Sequence, residues 1–357
     1  MKPFTYDAIA GRTVFAAGAL SRVGDELARL GAARVFLIVD GQAKEFGDML
    51  AEELGPLVVA RWHDVVQHVP FELAERARTA VTEVSADTVV CLGGGSSTGL
   101  AKAIALTHDL PILAVPTTYA GSEQTPIYGL TDARHKQTGR DLKVVPKVVI
   151  YDPALTIGLP PQVTGPSAFN ALAHCVEALY ATGCNPVTTA MALEGVRAIR
   201  GSLPRVMDAP DDIDARGDVL YGAYLAGIAL GTTSTGLHHK LCHVLGGRFN
   251  LVHADTHSIV LPHAVAFNAP ALPDEMARLE DALGAAPGDA AGALHDLALE
   301  SHVPTRLSEL GLSASDLDEA AEAAAIEITV NPVPVTVESL ARLLRDAYEG
   351  TRPAARQ

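Results

Sequence analysis

Short apolar runs alternating with helical spacing constrain the fold of this chain more than any other feature. "ARVFLIVD" (33–40), "PLVVARWHDV" (56–65), "ADTVVCLGGG" (86–95), "LPILAVPTT" (110–118) and "KVVIYDP" (147–153) read as strands. Segments 20–30, 44–54, 71–84 and 97–107 read as helices. Parallel neighbours in a sheet need a crossover between them, so this alternation predicts a parallel sheet with helices on both faces. The pattern changes at "LPPQVTGPSA" (159–168), a Pro/Gly-rich stretch suited to a domain boundary. Beyond it, stretches such as "FNALAHCVEALYA" and "AAEAAAIEI" carry helical spacing. The expected architecture is an α/β, Rossmann-like parallel-sheet domain over 1–160 followed by an all-α domain over 161–357. A chain of 357 residues with 48% hydrophobic content can fill two cores.

"VVCLGGGSSTGLAKAIAL" (89–106) is a strand, three glycines and a helix. Gly93, Gly94 and Gly95 allow the backbone to approach a bulky anion. Ser96 and Ser97 sit where a helix begins, and the N–H groups there favour a pyrophosphate. The spacing is not GxGxxG, so a tight strand-to-helix turn with no ligand is the competing reading. Asp40 ends an early strand, where a carboxylate accepts from a ribose 2′-OH and disfavours a 2′-phosphate, which argues for NADH over NADPH. "VPTTYAGSEQTPIYGLTD" (115–132) adds hydroxyls at Thr117, Thr118, Ser122 and Thr125 after another strand. Open parallel sheets bind ligands at the carboxyl ends of their strands, where both loops fall.

Net charge is −15, which argues against nucleic acid or an anionic membrane as partner. No signal-like N-terminus and no apolar run of about 18 residues is present, so a cytoplasmic protein is expected. Cys91, Cys175, Cys184 and Cys242 form no CxxC pair and read as free thiols in a reducing compartment.

Six histidines crowd residues 236–263. His239 and His243 are four apart, so they share a helix face, as do Asn170 and His174. His253 follows a turn-like "GGRFN". These groups can converge as a metal site or a proton-transfer site. Any one alone also reads as a satisfied core histidine, and His238, His257 and His263 are given that reading.

The chain resembles the iron-containing alcohol dehydrogenase family over almost its whole length. The carriers are GGGSSTGLAK (93–102), PTTYAGSEQT (116–125), YDPALT (151–156), NALAH (170–174), HKLCH (239–243) and VHADTHSIVLPHAVAFN (252–268). The resemblance implies the architecture shared with dehydroquinate synthases and a homodimer. It implies a divalent metal held at the positions of Asn170, His174, His239 and His253, with His243 beside the nicotinamide. It also implies an active site in a cleft between the domains. Two departures stand out: the ligand Asp is Asn170, and the Asp usual in the phosphate loop is Gly99. Both resemble the branch that reduces maleylacetate to 3-oxoadipate with NADH or NADPH, in the breakdown of resorcinol, hydroxyquinol and chlorinated aromatics.

Replacing the one carboxylate ligand by a neutral amide weakens a metal site. The enolate formed by conjugate reduction can be held by hydrogen-bond donors, and a histidine can protonate it. The expectation is therefore an enzyme that uses NADH, possibly NADPH, and requires no metal. His243 is the expected acid, with His174, His239, His253 and Asn170 around a small dicarboxylate. Lys136, where family members also carry Lys, is the expected source of positive charge, chosen over Lys240 and Arg248. The alternatives are a metal-dependent alcohol dehydrogenase of the same family, an elimination–cyclisation enzyme like dehydroquinate synthase, and a non-catalytic nucleotide-binding or metal-sequestering protein.

Overall fold

The structure is a computed structural model that describes residues 4–132 and 135–354, without the side chains of His135 and Lys136. The chain divides into two compact units, one over Asp7–Leu159 and one over Pro160 onward, the latter joined by Phe4–Tyr6. The division falls within the Pro/Gly-rich stretch, most of which is helical. Pro161 opens a helix that runs through Pro166 to Glu177. A proline in the first turn loses no hydrogen bond, since that N–H has no helical partner.

The N-terminal unit contains eight strands among the described residues. They are β1 (Arg12–Phe15), β2 (Val35–Val39), β3 (Val58–Trp62), β4 (Thr88–Gly93), β5 (Ile112–Pro116), β6 (Ile127–Asp132), β7 (His135–Arg140) and β8 (Val148–Tyr151). Its helices are α1 (Val23–Leu30), α2 (Lys44–Leu54), α3 (Phe71–Glu83) and α4 (Gly95–His108). Six strands form one parallel sheet in the order β1-β8-β5-β4-β2-β3. The remaining two form an antiparallel hairpin. Strands β1 and β6 are mostly exposed or half-buried, and neither they nor β7 carry a continuous apolar run, so the sequence does not mark them as strands. The strands β2, β4 and β5 are fully buried, as expected of parallel strands between two helical layers. Val35, Leu37, Val39, Val90, Leu92, Leu113 and Val115 pack on one face with Leu27, Leu50 and Ala51. Each such side chain contributes about 1.5–3 kcal/mol by leaving water. The strand order reverses between β2 and β4, and an open sheet parts there at its carboxyl edge.

The C-terminal unit is helical, with no strand among its described residues. Its helices are α5 (Pro161–Glu177), α6 (Pro186–Asp208), α7 (Ile213–Thr232), α8 (Leu237–Phe249), α9 (His253–Asn268), α10 (Pro273–Leu283), α11 (Ala290–Glu300), α12 (Leu317–Glu327) and α13 (Val337–Glu349). Helices α8 and α9 bury Leu237, Leu241, Leu245, Ile259 and Val260 in a core shared with Leu340 and Leu344 of α13. This core fixes the opposite, histidine-bearing faces of α8 and α9, against which α5 packs. No helix among the described residues is long and apolar enough to cross a membrane.

Candidate active site

Two groups of side chains are candidates for the chemistry, one in each unit. In the N-terminal unit, Asp40 leaves β2 and Gly93 ends β4, the two strands flanking the reversal of strand order. The backbone N–H of Asp40 donates to Leu92 O at 3.0 Å. Gly93 has φ +148, and a Cβ there would lie 2.5 Å from Asp40 Cβ and against the side chain of Ser97. A Cβ on Gly94 would lie 3.1 Å from Thr118 Cγ2, and one on Gly95 would lie 3.4 Å from Ala120 Cβ. Asp40, Gly93–Gly95, Ser97 and Thr118 are therefore brought together, with glycines where bare backbone is required. Ser96 is half-buried in the first turn of α4, and the fully buried Ser97 Oγ has no hydrogen-bond partner among the described residues. The Asp40 carboxylate accepts from Gln42 N at 3.2 Å and so also caps the turn after β2. Thr117 lies buried beside this group, its N–H donating to Gly93 O at 3.0 Å.

Ser122 and Thr125 play a different part. Thr125 Oγ1 donates to Ser122 O and accepts from Ile127 N and from the ammonium of Lys102. Ser122 offers Lys102 its carbonyl at 2.6 Å. Gly99 faces Val69, whose Cγ2 would be 2.9 Å from an added Cβ. Val69 is buried with φ +45, an unusual backbone for a β-branched residue, so the space beside Gly99 is already filled. Lys136 lies on β7 opposite Thr131, and its side chain lies outside the described residues. Arg248 is paired with Glu319 at 3.3 Å, both exposed, as befits a surface ion pair.

In the C-terminal unit, six imidazoles converge from α5, α8 and α9. The His174 and His239 rings stack with centroids 4.3 Å apart. His243, one turn along α8, is exposed and stacks on the half-buried His253 at 5.6 Å. His253 opens α9 rather than sitting in a loop, and its Nε2 lies 3.2 Å from His257 Nε2. His257 Nδ1 in turn lies 2.8 Å from His238 Nε2. Asn170 is half-buried on α5, one turn ahead of His174. His263 is buried outside this cluster.

Glu177, one turn after His174, holds this arrangement in place. Its carboxylate accepts from Gly236 N and His238 N, both at 2.8 Å, and so caps the start of α8. It also accepts from His239 Nδ1 at 2.6 Å. A carboxylate oxygen can only accept here, so His239 carries its proton on Nδ1 and keeps a lone pair on Nε2. That Nε2 is buried without a hydrogen-bond partner among the described residues, as are His174 Nδ1 and His238 Nδ1. Burial first, then the neighbouring imidazoles, holds His174, His238 and His257 well below the ordinary histidine range. Neutral rings with unpartnered buried nitrogens are what a divalent cation needs. His238, His239 and His257 offer ligand atoms that all lie within 4.8 Å of one another. Only His239 belongs both to this trio and to the set implied by the resemblance.

The comparisons with known proteins identify the family. The profile described as iron-containing alcohol dehydrogenase matches residues 10–153, and that of the C-terminal domain of the Fe-containing alcohol dehydrogenase family matches residues 164–348. The chain belongs to the iron-containing alcohol dehydrogenase family. It is 47% identical to a maleylacetate reductase of Sphingobium indicum over 98% of this chain and 99% of that one. Solved structures give the same picture. A maleylacetate reductase from Agrobacterium tumefaciens superposes with a TM-score of 0.95 at 44% identity, over 99% of this chain and 100% of that one. An iron-containing alcohol dehydrogenase from Corynebacterium glutamicum does so with 0.95 at 43%, over 99% of each. The chain is an oxidoreductase, as expected.

The expectation that no metal is required is overturned. The family is an iron-containing one, and the buried group of His238, His239 and His257 can hold a metal ion. The charge missing at Asn170 does not decide the matter, because His238 and His257, which taken singly read as core histidines, stand beside His239. Their i,i+4 and i,i+1 relations to the expected ligands place them in the same cluster.

Proposed function

We propose that this chain reduces the carbon–carbon double bond of maleylacetate to give 3-oxoadipate, with NADH, or NADPH, as hydride donor. The observation that carries this reading is the near-half identity to maleylacetate reductases over essentially the whole chain. Asn170 supports it, since a neutral side chain in place of a carboxylate suits a dianionic substrate. The glycine cradle of Asp40, Gly93–Gly95, Ser96, Ser97, Thr117 and Thr118 binds the dinucleotide, with Asp40 toward the ribose. Hydride adds to the carbon β to the ketone, and charge builds on the ketone oxygen as an enolate. The carbon α to the ketone then takes a proton from His243, and the exposure of that imidazole supports the role, since it can recover the proton from solvent. His174 and His253 with Asn170 hold the substrate, and Lys136 supplies charge for a carboxylate. When bound to the imidazoles, a divalent cation supplies a Lewis acid for the ketone oxygen. Glu177 keeps His239 in the tautomer that leaves Nε2 free for it. A homodimer in the cytoplasm completes the reading.

The test is NADH oxidation by the purified enzyme with freshly generated maleylacetate, beside NAD-linked oxidation of simple alcohols. Maleylacetate should be turned over with the far higher kcat/KM. Preferred oxidation of an alcohol would overturn the proposal.

A further inference from the structure

Lys102 sits two turns into α4 with none of its surface exposed. Burying an ammonium costs several kcal/mol unless its charge and its three protons are taken up. Here Nζ donates to the carbonyls of Ser122 (2.6 Å), Thr125 (2.8 Å) and Ile127 (2.8 Å). Thr125 Oγ1 lies at 3.0 Å and Ser122 Oγ at 3.4 Å. Five oxygens around one cationic nitrogen resemble the carbonyl cages that bind potassium or ammonium ions. The buried carboxyl of Glu123 belongs to the same loop, and its Oε1 accepts from the buried Tyr151 hydroxyl at 2.7 Å. Gln124 Nε2 donates to that hydroxyl at 3.1 Å. The loop over 122–127 thus folds around a cation delivered by α4.

We propose that Lys102 is a positioning residue for the dinucleotide, its ammonium fixing the Thr117–Thr125 wall of the cradle against Gly93–Gly95. The proposal rests on the cofactor reading of that cradle. The same helix that carries Lys102 begins at Gly95, so one rigid element joins the glycine turn to the cage. The tolerance is small, because Gly94 and Gly95 approach Thr118 and Ala120 so closely that even a Cβ is crowded at Gly94. Burial pushes Lys102 down to about 7, while the nearby Glu123 acts to hold it up. Replacing the amine by an apolar group therefore leaves three carbonyls of this wall without their common donor.

The test measures NADH affinity by fluorescence and steady-state kinetics on full-length Lys102→Met and Lys102→Ala enzymes, with circular dichroism to confirm folding. A rise in the NADH Kd and KM of about tenfold or more is expected, with kcat at saturating NADH changed no more than about threefold. Added propylammonium should restore NADH affinity to Lys102→Ala, and tetramethylammonium, a cation without N–H donors, should not. An unchanged NADH Kd in folded Lys102→Met, or equal rescue by tetramethylammonium, overturns the proposal. If neither variant folds, Thr125→Val removes one cage oxygen and should weaken NADH several-fold; unchanged binding there overturns it equally. Gly94→Val separates the two readings. If it abolishes NADH binding while Lys102→Met does not, the clamp alone falls. If it leaves NADH binding intact, the cradle assignment falls and takes the clamp with it.

Discussion

Replacing Glu177 by Gln tests whether one buried carboxylate organises the histidine cluster. The carboxylate accepts from Gly236 N, His238 N and His239 Nδ1. A glutamine offers one acceptor oxygen and one NH₂ donor. With its oxygen toward His238 N, the NH₂ faces Gly236 N–H, and His239 must move its proton to Nε2. With its oxygen toward Gly236 N and His239, the NH₂ faces His238 N–H. Either way a buried N–H at the start of α8 loses its partner, costing about 1–3 kcal/mol, and charge-assisted bonds become neutral ones. A total of about 2–4 kcal/mol follows. At roughly 2–4 °C per kcal/mol for a unit of this size, the C-terminal unit should melt about 4–16 °C lower. In the first orientation the lone pair of His239 Nε2 is lost, and removing such a support typically weakens metal binding roughly 10–100-fold. The assay is differential scanning calorimetry, with competitive chelator titration of the enzyme reconstituted with Fe²⁺ or Zn²⁺. A Glu177→Gln enzyme with unchanged Tm and metal affinity within a factor of about two would refute the reasoning.

Four further outcomes are expected. Asp40→Ser should narrow the ratio of kcat/KM between NADH and NADPH, since a 2′-phosphate then no longer meets a carboxylate; an unchanged ratio would place selection elsewhere. His243→Ala should lower kcat on the order of 10²-fold with maleylacetate, typical of losing a general acid, and retention of most activity would exclude it as the proton donor. Asn170→Asp should tighten divalent metal binding in chelator competition, because it restores an anionic ligand; equal affinity would mean that position 170 does not reach the ion. His263, pushed down to about 4 by burial and by His295, stays neutral in the folded chain while the unfolded chain protonates it near 6.5. More protons then bind the unfolded state, so stability falls as pH drops from about 6.5 toward 4, by up to about 1.4 kcal/mol per pH unit. Denaturant melts of His263→Gln should show a shallower acid slope than the parent, and identical slopes would contradict this.

What was legible in the chain follows the range of the interactions involved. Strands β2, β4, β5 and β8 announce themselves as apolar runs because both their faces are buried, and the three glycines mark the turn where a side chain cannot fit. The partly exposed β1 and the hairpin of β6 and β7 carry no such run. Asn170 with His174, and His239 with His243, are readable as pairs because a helix repeats its face every turn. The same periodicity relates His253 to His257, yet spacing says nothing of depth, and His257 was read as core. Its role depends on His238, which α8 brings within 2.8 Å from nineteen residues away. Glu177 and Lys102 are harder still. Each acts by serving backbone groups of a distant segment, 59 to 61 residues on for Glu177 and 20 to 25 for Lys102. Such partners have no side-chain signature, because every residue has a carbonyl and nearly every one an N–H. The signal available is negative: a charged residue inside a mostly apolar helical segment must find partners or fail to fold. "LAKAIAL" and "AHCVEAL" both contain one. On that criterion Lys102 and Glu177 stand out as surely as the histidines, and the capacity of the cluster for a metal depends on how Glu177 orients His239 as well as on the charge missing at Asn170.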